Sequence, residues 1–180
     1  MVLFLDAAHF VYGAVVGYLW CFARVFLRSP SGRQRFHVLG ALDAVSRQVH
    51  LFTNETYITA QSVCTRLDQL AACYAPRKVP LTLFLDNARY QRCALVQAHA
   101  QALGIELEFL PSYSPNLNLI ERYWRWIKKQ CLRAKYHADF GAMKATIQKT
   151  PATAHADYAQ ELASLLTWNF QTFPKTQVMK

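Results

Sequence analysis

Cysteine offers this chain no framework. Its five cysteines, Cys21, Cys64, Cys73, Cys93 and Cys131, are odd in number and form no CxxC pair. That argues against a disulfide scaffold and against a structural zinc site. Reduced, mostly buried thiols are expected. A membrane-spanning run is missing too. Phe10 to Ala23 carries no formal charge but is 14 residues long, short of the roughly 20 a spanning helix needs. No basic segment precedes it, so it does not read as a signal peptide; buried strand and loop are expected there, and no membrane partner. Negative charge is scarce: 11 Asp and Glu stand against 20 Lys and Arg, for a net charge of +9. Such a balance points to a polyanionic partner, nucleic acid first.

What is present is ample core material, 53% hydrophobic and 13% aromatic in 180 residues, enough for one domain. Val2 to Leu5 reads as a strand buried on both faces. Ser29-Pro30-Ser31-Gly32 is a turn. Phe36 to Leu42 and Gln48 to Thr53 read as a hairpin turning near Ala44–Ser46. Ile58 to Tyr74 follows the helical period, with Thr56 or Thr59 as its cap. Leu81 to Leu85 is a second buried strand. Gln91 to Leu103 is a helix stopped by Gly104, and Ile105 to Leu110 a half-buried strand with Glu106 and Glu108 on its polar side. After a loop at Pro111–Asn116 come helices over Leu117–Lys135, Asp139–Lys149 and Ala156–Trp168, the last two parted by Pro151. This order predicts an α/β, ribonuclease-H-like fold: a mixed five-stranded sheet with helices on both faces. Residues 1–135 form its core and 136–180 a helical extension of the same domain.

Three carboxylates stand out. Leu3-Phe4-Leu5-Asp6 and Leu83-Phe84-Leu85-Asp86 are identical strings. Each delivers an Asp at the end of an apolar strand, where ligands gather in open α/β sheets. Glu121 follows Asp86 after 34 intervening residues. The helix stripe Leu117, Ile120, Trp124, Ile127 and Cys131 is apolar. At 3.6 residues per turn, Glu121 lies about 40° from Leu117 and about 60° from Trp124, at the flank of the buried face. Carboxylates that converge in this way suit divalent cations and two-metal phosphoryl transfer. Singly, each has a commoner role: a strand-end Asp caps a turn, and a first-turn Glu complements the helix dipole. The joint pattern lifts the three above those roles. Trp124 and Trp126 read as packing, and His9 as a minor candidate beside Asp6. On the same helix Arg122, Arg125, Lys128, Lys129 and Arg133 are candidate phosphate contacts.

The strings LFLDNARYQ and LEFLPSYSPNLNLIERYWRWIK resemble the catalytic core of the mariner superfamily of DDE transposases, in its bacterial insertion-sequence branch. The 34-residue interval and the LPxYSPxLNxIExxW string carry the resemblance; VLGAL at 38–42 and the Gly17-Tyr18-x-Trp20 patch extend it over nearly the whole chain. It implies that Asp6, Asp86 and Glu121 are the catalytic, metal-binding triad, holding two Mg²⁺ or Mn²⁺ ions. Three positions depart from the family pattern: Ala7, Gln91 and Leu119 stand where an acidic residue, a His and a Pro are common. Family members also carry helix-turn-helix domains ahead of the core, whereas Met1 opens on the first catalytic strand. The resemblance therefore implies a second reading frame of a frameshifted gene, or a truncated copy.

The expected function is metal-dependent DNA cleavage and strand transfer by a transposase catalytic domain. Expected partners are element-end and target DNA, a second copy of the chain on that DNA, and an upstream-frame DNA-binding polypeptide. The setting would be the bacterial cytoplasm, at the nucleoid. The rival is a catalytically silent DNA-binding or regulatory remnant. A haloacid-dehalogenase-like phosphatase built on LFLDNA is disfavoured, because Ala88 stands where that chemistry needs a second Asp.

Overall fold

The computed structural model describes residues 1–13, 22–23, 34–54, 57–133 and 135–170. The expected turn at Ser29–Gly32, the Gly17-Tyr18-x-Trp20 patch and most of the loop expected within Phe10–Ala23 lie outside them. Five strands form one mixed sheet: β1 Val2–Val11, β2 Arg35–Asp43, β3 Val49–Asn54, β4 Leu81–Leu85 and β5 Ile105–Phe109. Their spatial order is β3-β2-β1-β4-β5. The two identical strings pair with each other in parallel and in register, Leu3 with Leu83, Phe4 with Phe84 and Leu5 with Leu85.

Alternation along β1 and β4 then builds two cores. Leu3, Leu5, Leu83 and Leu85 pack under helices α1 (Ala60–Tyr74) and α2 (Ala94–Ala102). Phe4, Ala8 and Phe10 face the other way, under α3 (Leu119–Cys131), α4 (Phe140–Asp157) and α5 (Ala159–Leu165). Helices therefore cover both faces, as the element order predicts. Thr59 proves to be the α1 cap, in a reciprocal capping box with Ser62. Asp43 closes the hairpin turn by accepting from the backbone N–H groups of Val45 and Ser46, at 2.9 and 3.1 Å. Glu106 and Glu108 are exposed on β5, on the polar side that alternation assigns them.

Several elements differ from expectation. β1 does not end at Leu5. It runs on to Val11, because the long strand β2 keeps pairing with it as far as Val11–Arg35. What ends at Leu5 is the parallel pairing with β4. α2 starts three residues later than its periodicity suggests, since Gln91 is buried in the turn ahead of it. α3 starts at Leu119, after a 3-10 turn at Pro115–Leu117. Pro151 parts nothing: α4 runs through it to Asp157. Met143, Ile147 and Ala154 are all buried along that helix, and the Thr150 hydroxyl donates to the Thr146 carbonyl at 2.8 Å. The backbone bond lost at Pro151 is offset by the tertiary packing of that buried face. Among the described residues no helix is long and apolar enough to cross a membrane.

Candidate functional site

Strand register fixes two of the three carboxylates. The rings of Phe4 and Phe84 stack with centroids 5.3 Å apart. Two residues further on, on the same sheet face, each chain carries an Asp. Burial pushes the Asp6 carboxyl up to about 7, and the negative charges of Asp86 and then Glu121 push the same way. Glu121 is raised too, by burial first, with Arg125 and Lys128 opposing and Asp86 adding to the rise. Asp6 thus feels the charge of both other carboxylates, and Glu121 that of Asp86.

A glycine lets the helix come down onto Asp6. Gly40 sits opposite Asp6 on β2. A Cβ there would lie 2.6 Å from two ring carbons of Trp124 and 3.2 Å from the Ile120 Cδ1. Without that Cβ the indole packs directly against the strand, and Trp124 is 4% exposed. Its N–H makes no full hydrogen bond, yet it is near enough to Asp6 to ease that carboxylate's charge. The reading of Trp124 and Trp126 as packing holds: both are buried.

Asp86 is braced from its own loop. Its Oδ1 accepts from the Ala88 backbone N–H at 3.0 Å. With its amide nitrogen facing Asp86, the buried Gln91 donates to the Asp86 main-chain oxygen at 3.2 Å and to its carboxylate. Gln91, in that orientation, therefore serves as a donor that cannot titrate. Asn87 ties the next loop in by donating to the Leu110 carbonyl.

Glu121 stands in the first turn of α3. It shares with Asp86 a cleft of about 400 Å³, walled otherwise by residues 87–88, 110–115 and 118. Two further residues in that wall carry no role in the sequence reading. Asn118 caps α3 by position but not by side chain; it is 2% exposed, and neither its Nδ2 nor its Oδ1 has a partner. Tyr113 is fully exposed, at 102%, on a backbone with φ of 59°. The available sequence signal was the polar Pro-Ser-Tyr-Ser-Pro frame, with an aromatic ring and nothing apolar beside it. His9 is exposed, and strand alternation turns it to the face opposite Asp6.

The basic helix divides. Arg125 is exposed, and Lys128 lies over the Phe10 ring at 5.9 Å; the charges of both reach Glu121. Arg122 is committed elsewhere. Its guanidinium donates to the carbonyls of Leu165, Thr167 and Asn169, at 3.4, 2.9 and 2.6 Å, and lies over the Phe170 ring. It clasps the chain that follows α5. Lys129 pairs with Glu161 at 3.7 Å, and Arg133 is exposed beyond the helix end.

Among the described residues, no three His, Cys, Asp or Glu side chains stand close enough to form a ready-made metal cluster. The donor chemistry nevertheless fits a hard divalent cation. The three carboxylates offer only oxygen, a dication would relieve the repulsion that raises Asp6 and Glu121, and the orphaned Asn118 amide borders the cleft that Asp86 and Glu121 line.

Residues 1–144 match the family model described as DDE superfamily endonuclease. No curated protein matches the chain significantly. Among solved structures it is similar to a Mos1 mariner paired-end complex with Mg, at a TM-score of 0.68 and 13% identity over 92% of this chain and 52% of that one. A Mos1 transposase paired-end complex with left transposon end gives a TM-score of 0.63 at 14% identity, over 94% and 56%. The Mos1 transposase catalytic domain with raltegravir and Mn gives 0.63 at 10%, over 96% and 84%. The chain thus spans about half the length of the transposase in the paired-end complexes, and at such identities the likeness is one of fold.

Proposed function

The chain belongs to the DDE superfamily endonucleases, and from that premise we propose that it is the catalytic part of a mariner-type transposase. It would hydrolyse DNA at the ends of an element and join the freed 3′-hydroxyl to target DNA. The observation that carries this reading is geometric: the two identical strings that end in Asp6 and Asp86 pair in register, and Glu121 on α3 lines one cleft with Asp86.

Asp6, Asp86 and Glu121 would hold one or two Mg²⁺ or Mn²⁺ ions, which supply Lewis-acid polarisation of the phosphoryl group. The chain's own residues prepare that site. Gln91 and the Ala88 N–H hold the Asp86 carboxylate in one orientation. Trp124 excludes water from one side of Asp6, and Gly40 leaves it room to do so. Arg125 and Lys128 meet the phosphate backbone, positioning it without reading sequence. The partners are element-end and target DNA, on which two or more copies assemble, and an upstream DNA-binding polypeptide. The reading includes action at the nucleoid of a bacterial cytoplasm.

The test is nicking of an element-end duplex in Mg²⁺, Mn²⁺ or EDTA by the parent, Asp86→Asn and Glu121→Gln. We expect cleavage by the parent in either metal, none in EDTA, and none by either variant, with both variants folded. Persistent cleavage by Asp86→Asn, or none by the parent, refutes it.

A further inference from the structure

The DDE reading assigns the carboxylates a task and leaves the loop beside them without one. That loop runs from Pro111 to Pro115 along the cleft wall that contains Asp86 and Glu121. Its ends are pinned. The Leu110 N–H donates to the Leu85 carbonyl at 2.9 Å, and the Leu117 N–H to the Ser114 carbonyl at 3.0 Å. Tyr113 stands at its tip, fully exposed. The ring buries nothing, so it adds nothing to the core. The backbone beneath it is left-handed, with φ of 59°, a conformation that costs a bulky residue free energy and collects at functional positions. An exposed aromatic held on a strained backbone is hard to explain by stability. It is explained by a ligand with a flat apolar face.

A second observation indicates that the cleft is built around something. Asn118, at the foot of the same loop, is 2% exposed with both amide atoms unpartnered. Buried polar groups are nearly always paired. A group that is not, in the wall of an open cleft, awaits a polar ligand there. The cleft thus has a flat ring at its rim and, buried in its wall, an amide donor and acceptor without partners. A nucleotide has both counterparts: a base with a π face, and a phosphodiester with oxygens.

We propose that Tyr113 is the stacking platform for one unpaired base next to the phosphate at the carboxylate cleft. The proposal rests on the DNA reading given above and deepens it. Every base has a π face, so such a platform accepts any of them, and it would hold a frayed or flipped end rather than choose a sequence. Tyr113 is a positioning residue here: the ring meets the base, and no covalent step passes through its hydroxyl.

The experiment uses the full chain in EDTA, so that binding is read apart from cleavage. The probe is a duplex with a two-nucleotide single-stranded 3′ end carrying 2-aminopurine, set against the same duplex blunt-ended. Stacking quenches 2-aminopurine. We expect quenching by the parent and by Tyr113→Phe, and none by Tyr113→Ala. Tyr113→Ala should bind the overhang duplex about five- to 150-fold more weakly, the equivalent of roughly 1–3 kcal/mol per stacked base, with blunt-duplex affinity and melting temperature unchanged. Undiminished quenching by Tyr113→Ala overturns the proposal. So does an equal loss on both duplexes, or a Phe variant that behaves like Ala. A parent that quenches yet never nicks in Mg²⁺ leaves the platform standing and removes the endonuclease activity; a parent that binds neither duplex overturns both.

Discussion

Replacing Asp6 with Asn removes a charge that the metal-free fold accommodates poorly. The magnitude follows from the site. Burial, Asp86 and Glu121 raise the Asp6 carboxyl from 3.8 to about 7. A rise of about three pH units, at roughly 1.4 kcal/mol per unit, is roughly 4 kcal/mol of unfavourable charging once Asp6 is fully ionised. The sign is set by proton counting. Between the two pKa values the folded chain keeps a proton that the unfolded chain has released, so stability falls as pH rises through that window. The loss is about 2 kcal/mol by pH 5 and levels off above pH 7. The amide of the Asp6→Asn variant has nothing to titrate. Relative to that variant, the parent should therefore lose roughly 2–3 kcal/mol more between pH 5 and pH 8.

Urea denaturation of both proteins in EDTA, at half-unit steps across that range, measures the difference. Saturating Mg²⁺ should then flatten the parent's curve, because a bound dication favours the ionised carboxylates that repulsion disfavours. Parallel stability curves for the two proteins in EDTA would refute the reasoning. They would mean that Asp6 ionises as freely in the fold as outside it, and so lies neither buried nor beside the other two acids.

Gly40→Ala should destabilise by roughly 1–3 kcal/mol, as overpacking does, because its methyl meets Trp124 ring carbons at 2.6 Å; a urea midpoint equal to the parent's would show that the indole moves aside freely. Arg66→Met should be neutral or stabilising by up to a few kcal/mol, since the guanidinium is 5% exposed with Nε and Nη2 unpartnered and burial pulls its pKa down to about 10; a clear loss in chemical denaturation would mean the charge has a partner that matters. Arg125→Ala and Lys128→Ala should each weaken DNA binding and reduce the salt slope by about one, whereas Arg122→Ala should lower the melting temperature by freeing the chain after α5. Equal salt slopes in a fluorescence-anisotropy series for all three would show that the helix presents one undivided basic face.

Much of the sheet was legible because the chain states it twice. The two identical Leu-Phe-Leu-Asp strings pair in register as far as Leu5 and Leu85 and bury the same alternate side chains, which brings the strand ends that carry Asp6 and Asp86 together. The place of Glu121 beside the buried face was legible in part from helical spacing: Ile120, Trp124, Ile127 and Cys131 are all buried, but Leu117, expected in the same stripe, is only half-buried in the 3-10 turn ahead of the helix. Other features depend on partners far along the chain and leave no local trace. The acceptors of Arg122 lie 43 to 47 residues away, so its charge looked like surface. The continuation of β1 depends on the length of β2. Pro151 reads as a boundary by propensity, and packing of Met143, Ile147 and Ala154 against the neighbouring helices overrides it. Gly40 gives no sign of its importance until the Trp124 ring is seen lying on it.

Rigidity is distributed unevenly around the cleft, and the distribution has a mechanical consequence. Glu121 is flanked on its helix by Ile120 and Trp124, both buried against β1 and β2. α3 cannot shift without moving the acid and the indole beside Asp6 at once. The carboxylates are therefore held to a geometry fixed by the core, as a site that stabilises developing charge requires. The loop at 111–115 has the opposite character. Its side chains are mostly exposed; backbone bonds pin its ends, and a single long bond, from the Ser114 hydroxyl to the Ser112 carbonyl at 3.5 Å, crosses its tip. On the proposed function, fixed acids would hold the reacting phosphate in one geometry while an exposed aromatic rim would accept whichever base lies beside it. Substitutions in α3 should thus alter stability and chemistry together, while those at Tyr113 should alter DNA handling alone.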